Sequence, residues 1–424
     1  MAQYEFSETA GRIVRSEIRE MLKWSRRSDT VSFGGGLPDP SLFPVAELED
    51  IQASVLRRKG YLALQYGPTQ GEPEALEAFA AHLCRNGDEA GPENLCVTSS
   101  SQQALDLLSL LFLDRGSPVI VEAPSYVGAI QAFGRAGADF RAVPLGSEGM
   151  DIDLLEAELH RLDGEGKKPR FIYTIPDFQN PAGMTMCLES RRRLLDIASR
   201  RGLLVIEDSP YRELSFSGEA LPSLWTLAGG KGVVLLKTLS KMLFPGFRLG
   251  WLAAEKELAD RFIVMKQSVD LCTSSFVQLA AAEYMNRGLM EGTIKRARAL
   301  YRPKRDAMLA GLDSVLPPGS TRSEPEGGVF LWVTLPEGHD TTQVLKRGLE
   351  LGVAYVSGRS FFSDGSGGRS MRLNFSFPSV EDIGKGCTRL GEAIADCGCG
   401  TGPAMAGAAS VGSAAAARGR AARA

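Results

Sequence analysis

Histidine is scarce in this chain of 424 residues, and the scarcity removes several chemistries at once. The three histidines, at 82, 160 and 339, stand beside none of the polar motifs described below, which leaves His-based triads and His-rich metal sites without their residues. Excess charge of one sign is lacking too. With 48 Lys and Arg against 51 Asp and Glu, the net charge of -3 offers no basic field for nucleic acid. No segment stays apolar for the length of a membrane crossing, and the start Met-Ala-Gln-Tyr-Glu-Phe-Ser-Glu lacks the basic and apolar parts of a secretion signal. The seven cysteines are odd in number, scattered and without paired zinc spacing. They read as reduced thiols in a cytoplasm, with Cys397-Gly-Cys399 the only close pair.

What is present describes an ordinary globular protein: 44% hydrophobic and 23% charged residues, in a chain long enough for one large and one smaller domain. From Asn94 onward, short apolar runs alternate with amphipathic stretches. The runs are Leu95-Cys-Val-Thr, Val119-Ile-Val, Phe171-Ile-Tyr-Thr-Ile, Leu203-Leu-Val-Ile, Val233-Val-Leu-Leu and Trp251-Leu-Ala-Ala; Gln102 to Leu113 and Glu189 to Arg201 lie between them. Apolar strands separated by helices predict an α/β fold with a mainly parallel sheet covered on both faces. Ligands bind such sheets beyond the carboxyl ends of the strands.

The polar residues at those ends carry the chemistry. After Val233-Val-Leu-Leu comes Lys-Thr-Leu-Ser-Lys241, a lysine at a buried strand's end. Desolvation lowers an amine's pKa and makes it a nucleophile of the Schiff-base kind. Arg248, held by Pro-Gly-Phe-Arg-Leu-Gly, supplies a second cation and suggests an anion. Ser99-Ser-Ser-Gln-Gln leads into an amphipathic helix, which makes either an anion site or a plain N-cap. Tyr126 follows the second run, Asn180 sits in the turn Pro176-Asp-Phe-Gln-Asn-Pro-Ala-Gly, and Glu207-Asp-Ser-Pro-Tyr211 places Asp208 where it should be buried. Such a carboxylate is expected to face a positive partner. Near the N-terminus a helix is expected over Ile13 to Trp24, and Gly34-Gly-Gly36 is followed by prolines, so it reads as irregular backbone that approaches something closely rather than as a nucleotide loop. Towards the C-terminus, Met371-Arg-Leu-Asn-Phe-Ser-Phe alternates as a half-buried strand, with Arg372 suited to bidentate binding of a carboxylate.

In order and spacing these residues resemble the aspartate aminotransferase family, fold type I of the pyridoxal 5'-phosphate enzymes. Ser32-Phe-Gly-Gly-Gly-Leu-Pro, Ser101-Gln-Gln-Ala-Leu-Asp-Leu and Phe178-Gln-Asn-Pro-Ala-Gly bring it nearest to the 2-aminoadipate and kynurenine aminotransferase branch, over about residues 10 to 395. The resemblance implies a large domain with a mainly parallel seven-stranded sheet between helices and a smaller α+β domain. The expected division is an arm at 1–45, the cofactor domain at 46–284, the small domain at 285–396 and a disordered Ala/Gly-rich tail at 397–424.

It further implies pyridoxal 5'-phosphate as cofactor, no metal, and a ping-pong transfer of the amino group from an L-amino acid to a 2-oxo acid. Lys241 would carry the cofactor as an aldimine and move the substrate's α-proton; Asp208 would face the pyridine nitrogen, and Asn180 and Tyr211 the 3'-oxygen. Tyr126 would stack on the ring, while Ser100, Ser101, Gln102, Thr238 and Arg248 would hold the phosphate. Arg372, with Asn180, Gly36 and Arg19, would bind the substrate. Tyr66 is expected to reach a neighbouring subunit's phosphate, hence a cytoplasmic homodimer with shared active sites. Two departures stand out: Ser100 occupies a position usually held by glycine, and Asp177 replaces a small or neutral residue, which could alter the charge near the substrate. Two other outcomes share the motifs. One is a divergent enzyme performing elimination, decarboxylation or oxidative deamination; the other is the sensing domain of a transcription regulator, disfavoured because only about thirty residues precede Phe33.

Overall fold

Fourteen strands, β1 to β14, organise the computed structural model, which describes residues 4–13, 29–217 and 220–398. Most of the helix expected over Ile13 to Trp24, together with Arg19, and the tail from 399 lie outside the described residues. The strands are β1 (Val31–Ser32), β2 (Leu95–Thr98), β3 (Pro118–Ala123), β4 (Asp139–Gly146), β5 (Gly149–Met150), β6 (Phe171–Thr174), β7 (Leu204–Asp208), β8 (Val233–Thr238) and β9 (Gly250–Ala253), then β10 (Thr321–Arg322), β11 (Phe330–Thr334), β12 (Val353–Ala354), β13 (Val356–Ser357) and β14 (Ser370–Asn374).

The large sheet has the order β2-β9-β8-β7-β6-β3-β4-β5. Its centre is parallel, from β8 through β7, β6 and β3 to β4, while β9 runs antiparallel to both β2 and β8. It has eight strands rather than seven, because the two-residue β5 folds back on β4 as an antiparallel extension. Every residue of β8 is buried, and its side chains alternate between two cores: Val234 and Leu236 join one, Val233 and Leu235 the other. Burial on both faces is why such strands read as continuous apolar runs.

The strand that the apolar-run signal misses is β4. Its sequence, Asp-Phe-Arg-Ala-Val-Pro-Leu-Gly, is half exposed, and Arg141 is buried only because Asp139 and Glu165 pair with it at 2.7 and 2.8 Å. Near a sheet's edge both that arginine and Pro144 are tolerable.

The second sheet, β10-β11-β14-β13, is antiparallel. Here β14 is an interior strand with all five residues buried, where the alternation had suggested a half-buried one. Met371 and Leu373 enter the same core as Leu312, Leu390 and Ile394, and Arg372 is carried on the other face. The N-terminal segment joins this part of the molecule: β1 pairs in parallel with β12, and Phe33 O accepts a hydrogen bond from Asn374 N at 2.8 Å. That attachment delivers Gly34–Gly36 to the carboxyl ends of the central strands. Among the described residues no helix is long and apolar enough to cross a membrane, and no group of three or more metal-ligating side chains converges.

Candidate active site

Beyond Thr238, where β8 ends, one turn carries Lys241 into a cavity of about 520 Å³. Its Nζ donates to Gly36 O at 2.7 Å. Burial, with the positive Arg372 and Arg248 nearby, lowers the ammonium to about 8, and Asp208 opposes the change. An amine so placed is half free base near pH 8, far more available as a nucleophile or proton carrier at neutral pH than an ordinary lysine.

Asp208 closes β7 on the adjacent strand. Its Oδ2 accepts from the hydroxyl of Tyr173 at 2.7 Å, while Oδ1 is buried without a hydrogen-bond partner. Burial raises its carboxyl to about 6, against the pull of the Tyr173 hydrogen bond and of Lys237 and Lys241. Among the described side chains it is a phenol, and not a cation, that hydrogen-bonds to this carboxylate. The ammonium of Lys237, one of two that pull the carboxyl down, is bound to Glu213 at 2.6 Å.

At the other end of the cavity a second constellation forms. Arg248 donates to Ser100 Oγ at 2.5 Å and to Ser240 Oγ at 3.4 Å, and Thr238 Oγ1 donates to Ser240 Oγ at 3.0 Å. The helix Ser100–Phe112 starts here, and Ser99 at its N-cap makes no side-chain capping bond, so the plain-cap reading fails. Uncapped first-turn amides beside a guanidinium form an anion cradle. Ser100 and Arg248 both take left-handed backbone, with φ of 65° and 51°. That conformation explains why glycine would be the usual choice at 100. Gly250 allows the close packing behind the cradle: a Cβ there would lie 2.6 Å from Lys237 O and 3.0 Å from Ser101 N. Tyr126 lines the cavity between the two ends, its hydroxyl 3.5 Å from Gln102 Oε1.

The third side is built by β14. Arg372 is buried, donates to Asn180 Oδ1 at 3.0 Å and to Gly34 O at 2.8 Å, and lies 4.0 Å over Phe330 and 4.9 Å over Phe361. Its Nε has no partner, and burial brings the guanidinium down to about 10, still charged at neutral pH. Asn180 Nδ2 donates to Tyr211 OH at 3.4 Å, and burial holds the Tyr211 phenol protonated far above its usual range. Gly36 is hemmed in, since a Cβ would come within 2.7 Å of Phe330 Cζ and 3.3 Å of Lys241 Nζ.

Of the residues singled out in the sequence, Lys241, Asp208, Tyr211, Asn180, Tyr126, Ser100, Ser101, Gln102, Thr238, Arg248, Arg372 and Gly36 all line this one cavity. Tyr66 does not; it is 79% exposed on the surface. Asp177, expected to alter the charge near the substrate, is not on the cavity wall: it pairs with the fully buried Arg191 at 2.6 Å, which anchors the Asn180 loop and offsets its charge. Sequence reasoning missed Tyr173, Ser240 and Phe330, and it expected a close backbone approach at Gly34–Gly36 without naming Arg372 as what the Gly34 carbonyl meets. For Tyr173 a signal existed, because a tyrosine in a strand buried on both faces needs a partner for its hydroxyl. A larger cavity of about 900 Å³ shares Gln102 and Arg248 but contains none of Lys241, Asp208, Asn180 or Arg372.

The two unsatisfied ends, a lone buried carboxylate oxygen and an uncapped helix N-terminus with arginine, fit a molecule carrying a ring nitrogen at one end and a phosphate at the other. Pyridoxal 5'-phosphate has that form, with an aldehyde for Lys241.

Comparison with known proteins agrees. The model of the family "Aminotransferase class I and II" matches residues 41–390. The chain is 44% identical to aromatic-amino-acid aminotransferase 1 of Thermococcus litoralis, over 92% of this chain and 94% of that one. It is equally 44% identical to 2-aminoadipate transaminase of Thermus thermophilus, over 92% and 96%. Among solved structures, the kynurenine aminotransferase of Pyrococcus horikoshii, in complex with PMP, superposes with a TM-score of 0.88 at 41% identity, covering 92% of this chain and 97% of that one.

Proposed function

This chain belongs to the class I and II aminotransferases, and from that membership we propose the roles of its residues, its substrates and its assembly. It is an aminotransferase, and its cofactor is pyridoxal 5'-phosphate. When bound, the cofactor supplies an electron sink for the bond broken at the substrate's α-carbon. Ser100, Ser101, Gln102, Thr238 and Arg248 hold the phosphate, and Tyr126 lies against the ring. Asp208 Oδ1 faces the ring nitrogen and keeps it protonated; Asn180 and Tyr211 donate to the ring hydroxyl oxygen. Arg372 clamps the substrate's carboxylate, with its idle Nε as a further donor. Lys241 Nζ anchors the cofactor and moves the proton at the substrate's α-carbon.

The observation that carries this reading is the convergence of Lys241 and Arg372 in one cavity, both held by carbonyls of the Gly34–Gly36 segment, with burial lowering the lysine's pKa. Donor and acceptor are an L-amino acid and a 2-oxo acid in a ping-pong cycle. The aromatic walls Phe330 and Phe361, and the names of the similar enzymes, support aromatic amino acids and 2-aminoadipate as the first donors to try. The chain divides into an arm at 1–45, a cofactor unit at 46–284 and a small unit at 285–396, a division supported by the attachment of β1 to β12. A cytoplasmic homodimer is supported by the free thiols of all six described cysteines and by the exposed Tyr61, Leu62, Leu64 and Tyr66. In that dimer Tyr66 completes the partner's site.

The test is a single half-reaction. Holoenzyme given an L-amino acid and no acceptor should release one 2-oxo acid per active site and then stop. Continuous release of ammonia or carbon dioxide would replace transamination by elimination, deamination or decarboxylation. Mixing inactive Tyr66→Ala and Lys241→Ala chains should restore activity if sites are shared.

A further inference from the structure

Asp208 can hold a ring nitrogen protonated only while it is itself an anion, yet it is buried at the end of a central strand. Among the described residues one group hydrogen-bonds to its side chain: the hydroxyl of Tyr173, at 2.7 Å from Oδ2. We propose that Tyr173 is a positioning residue of the transamination, whose O–H holds Asp208 charged and turned so that Oδ1 is left for the cofactor's nitrogen. The proposal rests on the assignment of Asp208 to that nitrogen.

The geometry explains why a phenol serves here. Tyr173 sits on β6 beside β7, opposite Ile206, so its side chain shares a face with Asp208 two residues further on. Its ring is wholly buried and fixed edge-on against Phe133, with centroids 5.6 Å apart. Burial and the Asp208 charge hold the phenol protonated far above its usual range, so it donates and does not compete for the proton. A hydrogen bond to a charged oxygen is about twice as strong as one to a neutral one, so it favours the carboxylate over the acid. A cation in the same place would cancel the negative charge that the ring nitrogen requires. Of the other charged groups near Asp208, Lys237 is bound to Glu213, Lys241 is the reacting amine, and Glu122 is an acid raised to about 7 partly by Asp208 itself. The unpartnered Oδ1 is the complement of this arrangement. Were Tyr173 only a packing residue, phenylalanine would fill the same space against Phe133 with no effect on the nitrogen.

The experiment loads the holoenzyme with pyridoxal phosphate labelled with ¹⁵N in the ring and reads the nitrogen's chemical shift. Wild type should lie at the pyridinium position. Tyr173→Phe should move the signal towards neutral pyridine and weaken cofactor binding about tenfold, the worth of one hydrogen bond to a charged group. Phe133→Leu, which loosens the same ring and leaves the hydroxyl in place, should keep the wild-type position. Replacing Tyr173 by 3-fluorotyrosine retains and strengthens the donor, and should also keep the pyridinium position. The proposal is overturned if Tyr173→Phe leaves the signal unmoved, if Phe133→Leu moves it equally, or if the fluorotyrosine protein drifts towards neutral pyridine. Asp208→Asn separates the two readings. A signal unmoved in that variant would remove Asp208 from the nitrogen, whereas a signal moved there but not in Tyr173→Phe would remove only Tyr173.

Discussion

Lys241 should destabilise the very fold that positions it, and the size of the effect can be worked out. Its ammonium falls from 10.5 to about 8 on folding, chiefly through burial and then through the charges of Arg372 and Arg248. A displacement of that size amounts to about 3 kcal/mol of stability withheld wherever the lysine is charged in both the folded and the unfolded chain. Lys241→Met keeps the length and apolar stem of the side chain and removes the charge. It also leaves Gly36 O without its donor, at a cost of about 1 kcal/mol. The cofactor-free variant should therefore be about 2 kcal/mol more stable than cofactor-free wild type at pH 7.

The sign with pH follows from linkage. Below pH 8 both folded and unfolded lysines are protonated and the whole penalty operates; between 8 and 10.5 the unfolded state binds the extra proton, so wild type gains on the variant as pH rises. Above 10.5 only the lost hydrogen bond remains, and the variant should be slightly the weaker protein. Urea unfolding of both proteins at one fixed protein concentration, at pH 7, 8.5 and 9.5, reads the difference as a shift in midpoint at unchanged slope. No gain at pH 7, or a gain that fails to shrink towards pH 9.5, would refute the argument that burial and neighbouring cations lower this amine's pKa.

Four further outcomes are expected. Arg191→Met should cost about 3 to 5 kcal/mol in the same assay by leaving Asp177 buried and unpaired, and adding Asp177→Leu should return only part of it, because the carbonyls of Met186 and Pro222 still lack the donors that Arg191 supplies. Asp177→Asn should alter kcat/KM for acidic and neutral donors alike; a selective change for one of them would put Asp177 back beside the substrate. Arg372→Lys should lower kcat/KM about 100-fold with the melting temperature little changed, because an ammonium cannot present two parallel donors to a carboxylate; a change under threefold would take the carboxylate away from Arg372. Gly36→Ala should lower kcat about tenfold or more as its Cβ crowds Phe330 Cζ and Lys241 Nζ, at 2.7 and 3.3 Å in the present geometry, an estimate from the sensitivity of reacting groups to small displacements. Full activity in that variant would show that the Gly34–Gly36 segment can retreat.

The fold class, the main strands and most of the cavity's residues were legible in the chain itself. Strands buried on both faces must be apolar runs, and the residues just beyond them are the polar exceptions, so Lys241, Asp208, Asn180 and Tyr126 announce themselves by position. Arg372 was legible from a clean alternation of period two, although its strand is interior and wholly buried. Tertiary structure alone decided which charges meet. Asp177, four positions before the Pro181 turn, could as well have faced the substrate, and only the packing of the helix Leu188–Arg201 puts Arg191 against it. Within the chain Asp208 could have paired with Lys237, but the neighbouring strand brings a tyrosine hydroxyl to it and Glu213 occupies Lys237. The physical reason is range. Periodicity and turn chemistry act over a few residues and are written in local sequence, whereas the partner of a buried polar group is chosen by contacts between residues far apart in the chain, such as Arg372 with Gly34 O, and exists only once the sheets have come together.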